Sequence, residues 1–443
     1  MRGWIMTGAA AASLAIGSVG TAQPPVQTGP AKAATSARVD AKAVVAEVRK
    51  VLAANYVLPE MRPRLDAALA AGLAAGRYDV ENPALLAERL NADMAAVAHD
   101  KHLGLQYDPA QAALIGTQQN DAQQDGAAFR RMAQVRNHGI TEMKVLPGNV
   151  RYIAIDGFIW TGEESARAYD NAMHFLKGGD AAIIDVRRNG GGSPAGVNHV
   201  ISHFLEPNRK IVTFYMGGDP AEPVTTLADV AAGRMIGKPL YVLTSGGSAS
   251  AAEEFVGHVK GFGIGELIGG NTAGAGFRNT FFAIPGGFAF SVSVGRAVLA
   301  STGKDWEGKG IPPDTEVDPD KALDVAQLHA LRKLAANAAP GEKKAYEGML
   351  TLLAAKAEPV ATALPLQAYA GRFGERVISV EQGKLVFQRD GGPRVPLVPV
   401  AANTFALDND GGTRLSFAVA GASTTGFEMI RGDGSRVSAS RTQ

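Results

Sequence analysis

The chain has 443 residues, 46% of them hydrophobic, which is enough apolar material for a sizeable core divided between two or three domains. Lys and Arg number 44 against 43 Asp and Glu, so the charge balance gives no electrostatic reason to expect a nucleic-acid partner. Cysteine is absent, which excludes thiol nucleophiles, disulfides and thiolate metal sites.

The first residues have the pattern of a secretory signal peptide, which we predict over residues 1–22. Arg2 precedes an apolar, small-residue run over residues 6–19, and small side chains lead up to a cleavage point near Ala22. The alternative is a membrane anchor, but the run is shorter than the roughly 20 residues that a spanning helix needs. The signal peptide predicts an exported protein, periplasmic or extracellular. Because no later segment is apolar enough to cross a bilayer, we expect the mature protein to be soluble. Residues 23–36 predict a flexible leader.

Apolar residues recur at helical spacing between residues 41 and 98 and predict an N-terminal helical region over 37–107. Pro and Gly positions break this region near residues 59–63 and 78–83, which divides it into three helices. The polar, Gln-rich residues 108–145 form a connecting segment to which the pattern assigns no structure.

Strands and helices alternate over residues 146–325 and predict an α/β core with a partly parallel sheet. Buried strands are predicted at 150–155, 181–186, 239–244 and 264–268, helices at 164–176, 195–205 and 251–260, and further strands within 277–298.

The remaining chain changes character twice. Residues 326–358 are rich in Ala, Leu and Lys and predict a helical linker, and residues 359–443 carry short strands separated by glycine-containing turns. This last segment predicts a small antiparallel β domain with a binding or packing role.

The segment 242–255 reads as a strand, a tight small-residue turn and a helix, with Ser248 and Ser250 in the turn. Such a turn raises a hydroxyl above the edge of the sheet, where the positive end of the helix and backbone N–H groups stabilise an oxyanion. The alternative is that either serine simply caps the helix, as serines before helices usually do.

The segment 247–253 (GSASAAE) resembles the nucleophile signature of the tail-specific, or C-terminal processing, serine peptidase family, whose middle hydroxyl falls on Ser250. Segments 185–192 (DVRRNGGG) and 306–314 (WEGKGIPPD) resemble the Asp-x-Arg-x-Asn-x-Gly-Gly loop and the closing segment of that family. With the stretch around His102, the resemblance covers residues 101–317. It implies a crotonase-like (ClpP/crotonase-type) α/β core and cleavage of peptide bonds in protein or peptide substrates through an acyl-enzyme on Ser250.

One position departs from the family pattern. Many members use a Ser-Lys dyad, and Ala275 stands where that lysine would be. The nearest basic residue, Arg278, is a poor base because its guanidinium stays protonated at accessible pH.

The tricorn-core and interphotoreceptor-retinoid-binding branch of the family uses a histidine upstream of the sheet and a glutamate after it. The segment 100–105 (DKHLGL) resembles the histidine segment, and Glu307 stands in the glutamate position. The resemblance implies a Ser-His-Glu triad in which His102 takes the Ser250 proton and Glu307 orients the imidazole. For the oxyanion hole we expect the N–H of Ala251 and one from the glycine loop, Gly191 being the first choice.

Other readings of these residues are weaker. His99 and His102 lack a third metal ligand at a persuasive spacing, and Pro194 removes a donor from the glycine segment that imitates a dinucleotide fingerprint. We therefore expect a protein that uses no metal and no organic cofactor. The alternative function is a catalytically inactive binding protein for hydrophobic ligands or peptides on the same fold, and the oligomeric state stays open.

Overall fold

A computed structural model describes residues 39–117, 122–217 and 219–442. The predicted signal peptide and leader lie outside the described residues. Within these ranges no helix combines the length and the apolar character that crossing a membrane requires.

Three helices follow the N-terminus: α1 (Ala41–Asn55), α2 (Arg62–Ala74) and α3 (Pro83–Ala95). The Asp40 side chain accepts the N–H of Ala43 at the start of α1, and Asn82 caps α3 in the same way. Their buried faces include Val44, Val48 and Leu52. The three predicted helices are confirmed.

The region predicted to be helical ends instead in a short strand, β1 (Gly104–Tyr107). The connecting segment, left unassigned by its sequence pattern, contains α4 (Pro109–Thr117), α5 (Ala122–Val135) and most of β2 (Ile140–Leu146). The four residues of β1 pair with a strand almost 200 positions away, Gly104 lying opposite Ser291. Local periodicity contains no signal for so short a strand with so distant a partner.

The region from residue 150 contributes the elements β3 (Val150–Ile155), α6 (Glu163–Lys177), β4 (Ala181–Asp185), α7 (Pro194–Ile201), β5 (Lys210–Met216), β6 (Glu222–Thr225), β7 (Leu240–Thr244), α8 (Ala251–Gly261), β8 (Glu266–Gly269), β9 (Phe277–Ile284), β10 (Phe288–Leu299) and β11 (Thr315–Glu316). Each strand and helix predicted here is present within a few residues, whereas β5, β6 and β11 were not predicted. The fold is therefore mixed α/β, as expected.

The central sheet has the order β11-β8-β7-β4-β3-β2. Its strands from β3 to β11 are parallel, and β2 adds an antiparallel edge. Asp185 at the end of β4 lies opposite Leu243 of β7, and Thr244 of β7 lies opposite Gly269 of β8. The loops after β4, β7 and β8 consequently leave the same edge of the sheet, the edge at which ligands bind in open α/β folds.

A second sheet has the order β1-β10-β5-β6, with β9 also paired to β10. The N-terminal helices pack against it, since their buried side chains share one hydrophobic core with Ile284, Phe288 and Phe290. The segment before β1, which includes His102, contacts the loop after β8, since the Lys101 ammonium donates to the carbonyl of Ala273.

Two further helices follow, α9 (Ala322–Asn337) and α10 (Pro340–Ala357). The sequence divides α9 between the core and a linker, yet Ala326, Ala330 and Leu331 are fully buried in one cluster with Ile183 and Tyr241 of the central sheet. The helix is a covering layer of the α/β region, because small alanines permit close approach to the strands.

The C-terminal strands form one antiparallel meander: β12 (Gly371–Phe373), β13 (Arg376–Glu381), β14 (Lys384–Arg389), β15 (Arg394–Ala401), β16 (Thr404–Leu407), β17 (Asp410–Ala420), β18 (Ser423–Ile430) and β19 (Arg436–Ser440). Just after β19, the N–H of Thr442 donates to the carbonyl of Arg372 in β12 at 2.8 Å. The first and last strands thus meet, and the sheet is barrel-like.

Candidate active site

Ser250 is the N-cap residue of α8, at the tip of the turn that leaves β7. Its backbone has φ 54° and ψ −118°, whereas a capping serine ordinarily has extended dihedrals. A non-glycine residue at positive φ is strained by about 1–3 kcal/mol and persists only where the surroundings impose it. Capping alone does not explain this conformation, because a capping serine needs no positive φ.

The carboxylate of Glu253 imposes that conformation. It accepts the N–H of Ser250 at 3.0 Å, the N–H of Gly274 at 2.6 Å and the N–H of Ala275 at 2.7 Å. The Thr272 hydroxyl donates the fourth bond, at 2.6 Å. A fully buried carboxylate with four donors ties the serine turn to the loop after β8.

The glycine loop after β4 lies directly against Ser250. A methyl group at Gly191 would stand 2.8 Å from the Ser250 Cβ and 3.2 Å from the Ala251 nitrogen, and Gly191 has φ +113°. The Ala249 N–H donates to the Asn189 carbonyl at 3.0 Å, which joins the two loops. Only glycine fits here.

The two expected oxyanion donors differ in their surroundings. Ala251 is the first residue of α8, where backbone N–H groups have no partner within the helix. The N–H of Gly191, in contrast, donates to Asn189 Oδ1 at 2.9 Å. Because this N–H already has an acceptor, a neighbouring amide of the glycine loop is an equally good candidate for the second donor of the oxyanion hole.

His102 lies in the segment before β1, where Asp100 Oδ1 accepts its backbone N–H at 2.8 Å and the Ser291 hydroxyl donates to its carbonyl. Its Nδ1 is buried and has no hydrogen-bond partner among the described residues. Burial lowers the pKa of His102 below its ordinary value, and the carboxylates of Asp100 and Glu253 partly offset this effect. The imidazole is therefore held in its neutral, basic form.

Glu307 follows Trp306 in the loop after β10. Its Oε2 accepts the N–H groups of Gly276 and Phe277, the latter at 2.8 Å, while Oε1 is buried without a partner in the described part of the chain. Burial raises the pKa of Glu307 to about 7, and the Asp100 carboxylate adds to the rise. One oxygen is thus anchored, and the other remains available to a donor.

His102 and Glu307 both lie within electrostatic reach of the same two carboxylates, one of which bonds the backbone of Ser250. Asp100 and Glu253 both act on the pKa of each of them, and Glu253 also bonds the Ser250 backbone. Tyr56 of α1 completes the group, since burial and then the Asp100 carboxylate raise the pKa of its hydroxyl. The fold thus gathers segments that are up to 251 residues apart along the chain, from Tyr56 to Glu307.

The segment that carries the dyad lysine in many relatives has no basic side chain of its own. Ala275 is buried, and the guanidinium of Arg278 lies 4.3 Å from the ring centre of Phe214. Lys101 approaches from outside, and its ammonium donates to the carbonyl of Ala273. This contact fixes the loop against the His102 segment.

Several residues around the site have structural roles. Arg187 pairs with buried Asp185 at 2.7 Å, and Tyr152 donates to the same carboxylate at 2.8 Å. Trp306 is buried and donates from its indole nitrogen to the carbonyl of Ala275 at 3.2 Å. These contacts connect the ends of the strands with the loops that surround Ser250.

Glu253, Asn189 and Tyr56 were not among the predicted site residues. A carboxylate three residues after a helix-capping serine is the sequence signal of a capping box, which explains Glu253 without any link to the loop after β8. The other two become informative only through contacts between distant segments.

Two family models match the chain. Residues 149–317 match peptidase family S41, and residues 30–138 match the N-terminal domain of that family in eukaryotic IRBP, the interphotoreceptor retinoid-binding protein. The chain therefore belongs to peptidase family S41, and the resemblance drawn from its motifs is confirmed.

Curated relatives of the chain include the carboxy-terminal processing protease CtpB of Bacillus subtilis (strain 168), 29% identical over 185 residues, which are 41% of this chain and 36% of that protein. The carboxyl-terminal-processing protease of Synechocystis sp. is 30% identical over 168 residues, 37% of this chain and 38% of the relative. The chain thus spans little more than a third of the length of these relatives. The tricorn protease structure aligns with TM-score 0.40 and 13% identity, covering 71% of this chain and 37% of that one.

Proposed function

We propose that the chain is an exported serine peptidase that hydrolyses peptide bonds of protein or peptide substrates through an acyl-enzyme on Ser250. The strained backbone of Ser250 at the N-terminus of α8 carries the proposal. Membership of peptidase family S41 supports it, and the same membership favours a crotonase-like topology for the α/β region.

His102 is the general base in this proposal. Its neutral imidazole accepts the Ser250 Oγ proton as Oγ attacks the substrate carbonyl, and the imidazolium then returns that proton to the leaving amine. Water repeats the sequence to release the acyl group. Glu307 Oε1 and His102 Nδ1 are both buried and unpaired within the described ranges. In this proposal His102 Nδ1–H donates to Glu307 Oε1, and the carboxylate thereby orients the ring and stabilises the imidazolium.

Negative charge on the tetrahedral intermediate is met by backbone donors. The Ala251 N–H at the start of α8 supplies one, reinforced by the positive end of the helix. The glycine loop supplies the other, from Gly191 after release of its bond to Asn189 or from an adjacent amide.

Fluorophosphonate labelling followed by peptide mapping tests the nucleophile directly, because only an activated serine reacts quickly. We expect the wild-type protein to carry the label on Ser250 and Ser250→Ala to lose both label and peptide hydrolysis while remaining folded. Ser248→Ala is the matched control, since the Ser248 hydroxyl is committed to the Val186 carbonyl at 2.8 Å. Labelling that persists in Ser250→Ala, or a folded wild type that takes no label, refutes the assignment.

A binding protein without hydrolytic activity is the second candidate. The observation that favours it is the match of residues 30–138 to the domain described for IRBP, whose name identifies a retinoid binder. Absence of labelling together with saturable uptake of a hydrophobic ligand or peptide would support this candidate.

A further inference from the structure

Three potential metal ligands lie together away from the candidate active site: Asp170 in α6, His199 in the last turn of α7, and His203 in the turn that follows it. Their ligand atoms all lie within 4.8 Å of one another. His199 Nε2 and Asp170 Oδ1 are 2.8 Å apart. Among the described residues this is the group of His and carboxylate side chains with such a spacing.

His203 has the burial and the hydrogen bonding that suit a metal ligand. Its ring is fully buried, its Nδ1 lies 2.9 Å from the His199 carbonyl, and its Nε2 has no partner in the part of the chain that the structure describes. A carbonyl accepts only from a protonated nitrogen, so Nδ1 carries the hydrogen and Nε2 presents a lone pair. A backbone acceptor on the remote nitrogen is the arrangement that orients histidine ligands in metal sites.

A chain of ordinary hydrogen bonds accounts for only part of this cluster. The contact between Asp170 and His199 satisfies that pair, but it leaves His203 Nε2 unpaired in the interior. A buried polar atom without a partner costs about 1–3 kcal/mol, so a ligand for it is physically favoured.

We propose that Asp170, His199 and His203 bind a divalent transition metal ion of the zinc type, with a fourth position open to water. Two imidazoles and one carboxylate suit Zn²⁺, Co²⁺ or Ni²⁺, whereas Ca²⁺ and Mg²⁺ require oxygen ligands. Tetrahedral zinc with bonds of about 2.0–2.1 Å sets its ligands about 3.3 Å apart. The longest separation in the group, at most 4.8 Å, must therefore shorten by up to about 1.5 Å, and the 2.8 Å pair must open by about 0.5 Å. The partly exposed side chain of Asp170 provides access from solvent.

The site would tie α6 to α7, the helix that begins directly after the glycine loop. Because the ligands come together only in the folded chain, metal at 100 times its dissociation constant should raise the folded-to-unfolded ratio about 100-fold. This effect does not depend on the proposed peptidase activity.

Titration of tag-free, metal-stripped protein with Zn²⁺ in a calorimeter tests the site. We expect one equivalent to bind with a micromolar or lower dissociation constant, and Mg²⁺ to give no signal. Binding of Co²⁺ should quench the fluorescence of Trp160, whose ring centre lies 5.4 Å from that of His199. Trp160→Phe removes the reporter and leaves the binding heat in place.

Asp170→Asn and His203→Gln should each weaken Zn²⁺ binding at least tenfold. His174→Gln is the matched control, since His174 is exposed and its Nδ1 lies 2.9 Å from the carbonyl of the same Asp170. No binding by the folded wild-type protein at 100 μM Zn²⁺ overturns the proposal without any variant. Binding that His203→Gln retains at full strength, or that His174→Gln abolishes, overturns it as well.

Discussion

Gly191 and Ser250 lie against each other across two loops, so closely that a methyl group added to Gly191 would stand only 2.8 Å from the Ser250 Cβ. The contact exists because the loops after β4 and β7 leave neighbouring parallel strands at the same edge of the sheet. Because Gly191 has no side chain, its backbone can approach the place where the proposed oxyanion forms.

The first prediction concerns this glycine loop. Gly191→Ala forces a side chain against Ser250 at a positive φ, so we expect at least a 100-fold loss of fluorophosphonate labelling rate. Gly190→Ala is the control, because open space surrounds that position, and it should label within a few-fold of wild type. Equal rates for the two variants would separate the glycine loop from catalysis.

The second prediction separates the base from its neighbour. His102→Gln should lower kcat/KM at least 1000-fold, because the proposed mechanism has no other base to take the Ser250 proton. Lys101→Gln alters the adjacent residue and its contact with Ala273 and should retain at least a tenth of the activity. A larger loss in Lys101→Gln than in His102→Gln would move the role of base to the lysine.

The third prediction is a pH profile. The pKa of Glu307 is raised to about 7, while the pKa of His102 is lowered, so the carboxyl is the group that titrates near neutrality. If its anion stabilises the imidazolium, kcat/KM should rise with pH through about 7. Glu307→Gln should reduce activity and remove that step. An unchanged step in Glu307→Gln would assign the titration elsewhere.

The same group predicts how stability depends on pH. A carboxyl whose folded pKa lies above its unfolded value near 4.5 favours the folded state fully below pH 4.5, and the benefit is lost as pH rises to about 7. Because Glu307 is partly exposed, solvent screening reduces this contribution to the order of 1–2 kcal/mol. Urea unfolding of wild type and Glu307→Gln at pH 5 and 8 should show the loss in wild type only. A loss of the same size in the variant would contradict it.

The fifth prediction concerns Glu253, which joins the serine turn to the loop after β8. An amide at this position cannot accept from all four donors, so Glu253→Gln should lower the free energy of unfolding by about 2–3 kcal/mol and slow labelling of Ser250. Glu254→Gln, the next residue on α8, has only a 3.5 Å contact with His258 and should cost less. Guanidinium unfolding and fluorophosphonate labelling of both variants measure these effects. An equal loss in the free energy of unfolding for the two variants would contradict the role assigned to Glu253.

The order of strands and helices from residue 150 to 299 could be predicted from the sequence, because buried parallel strands such as β4 and β7 are continuous apolar runs bounded by turn residues. The motif around Ser250 and the glycine loop could also be recognised from the sequence, because each is a short continuous segment. The strands β1 and β5 and the burial of α9 were not predicted because β10 and the central sheet, against which they lie, are remote in sequence. β6 pairs with the neighbouring β5, but its four residues are too few to show a pattern.

The sequence by itself determined which residues have the chemistry for acyl transfer, since hydroxyl, imidazole and carboxyl groups in recognisable segments are properties of the chain. Only the tertiary structure decided their environment: the positive φ of Ser250, the four donors on Glu253, the Gly191 amide turned to Asn189, and the burial that raises the pKa of Glu307. The physical reason is that strain, desolvation and hydrogen-bond partnership arise between segments that meet only after folding. The same reason applies to Asp170, His199 and His203, whose convergence is created by the packing of α6 against α7.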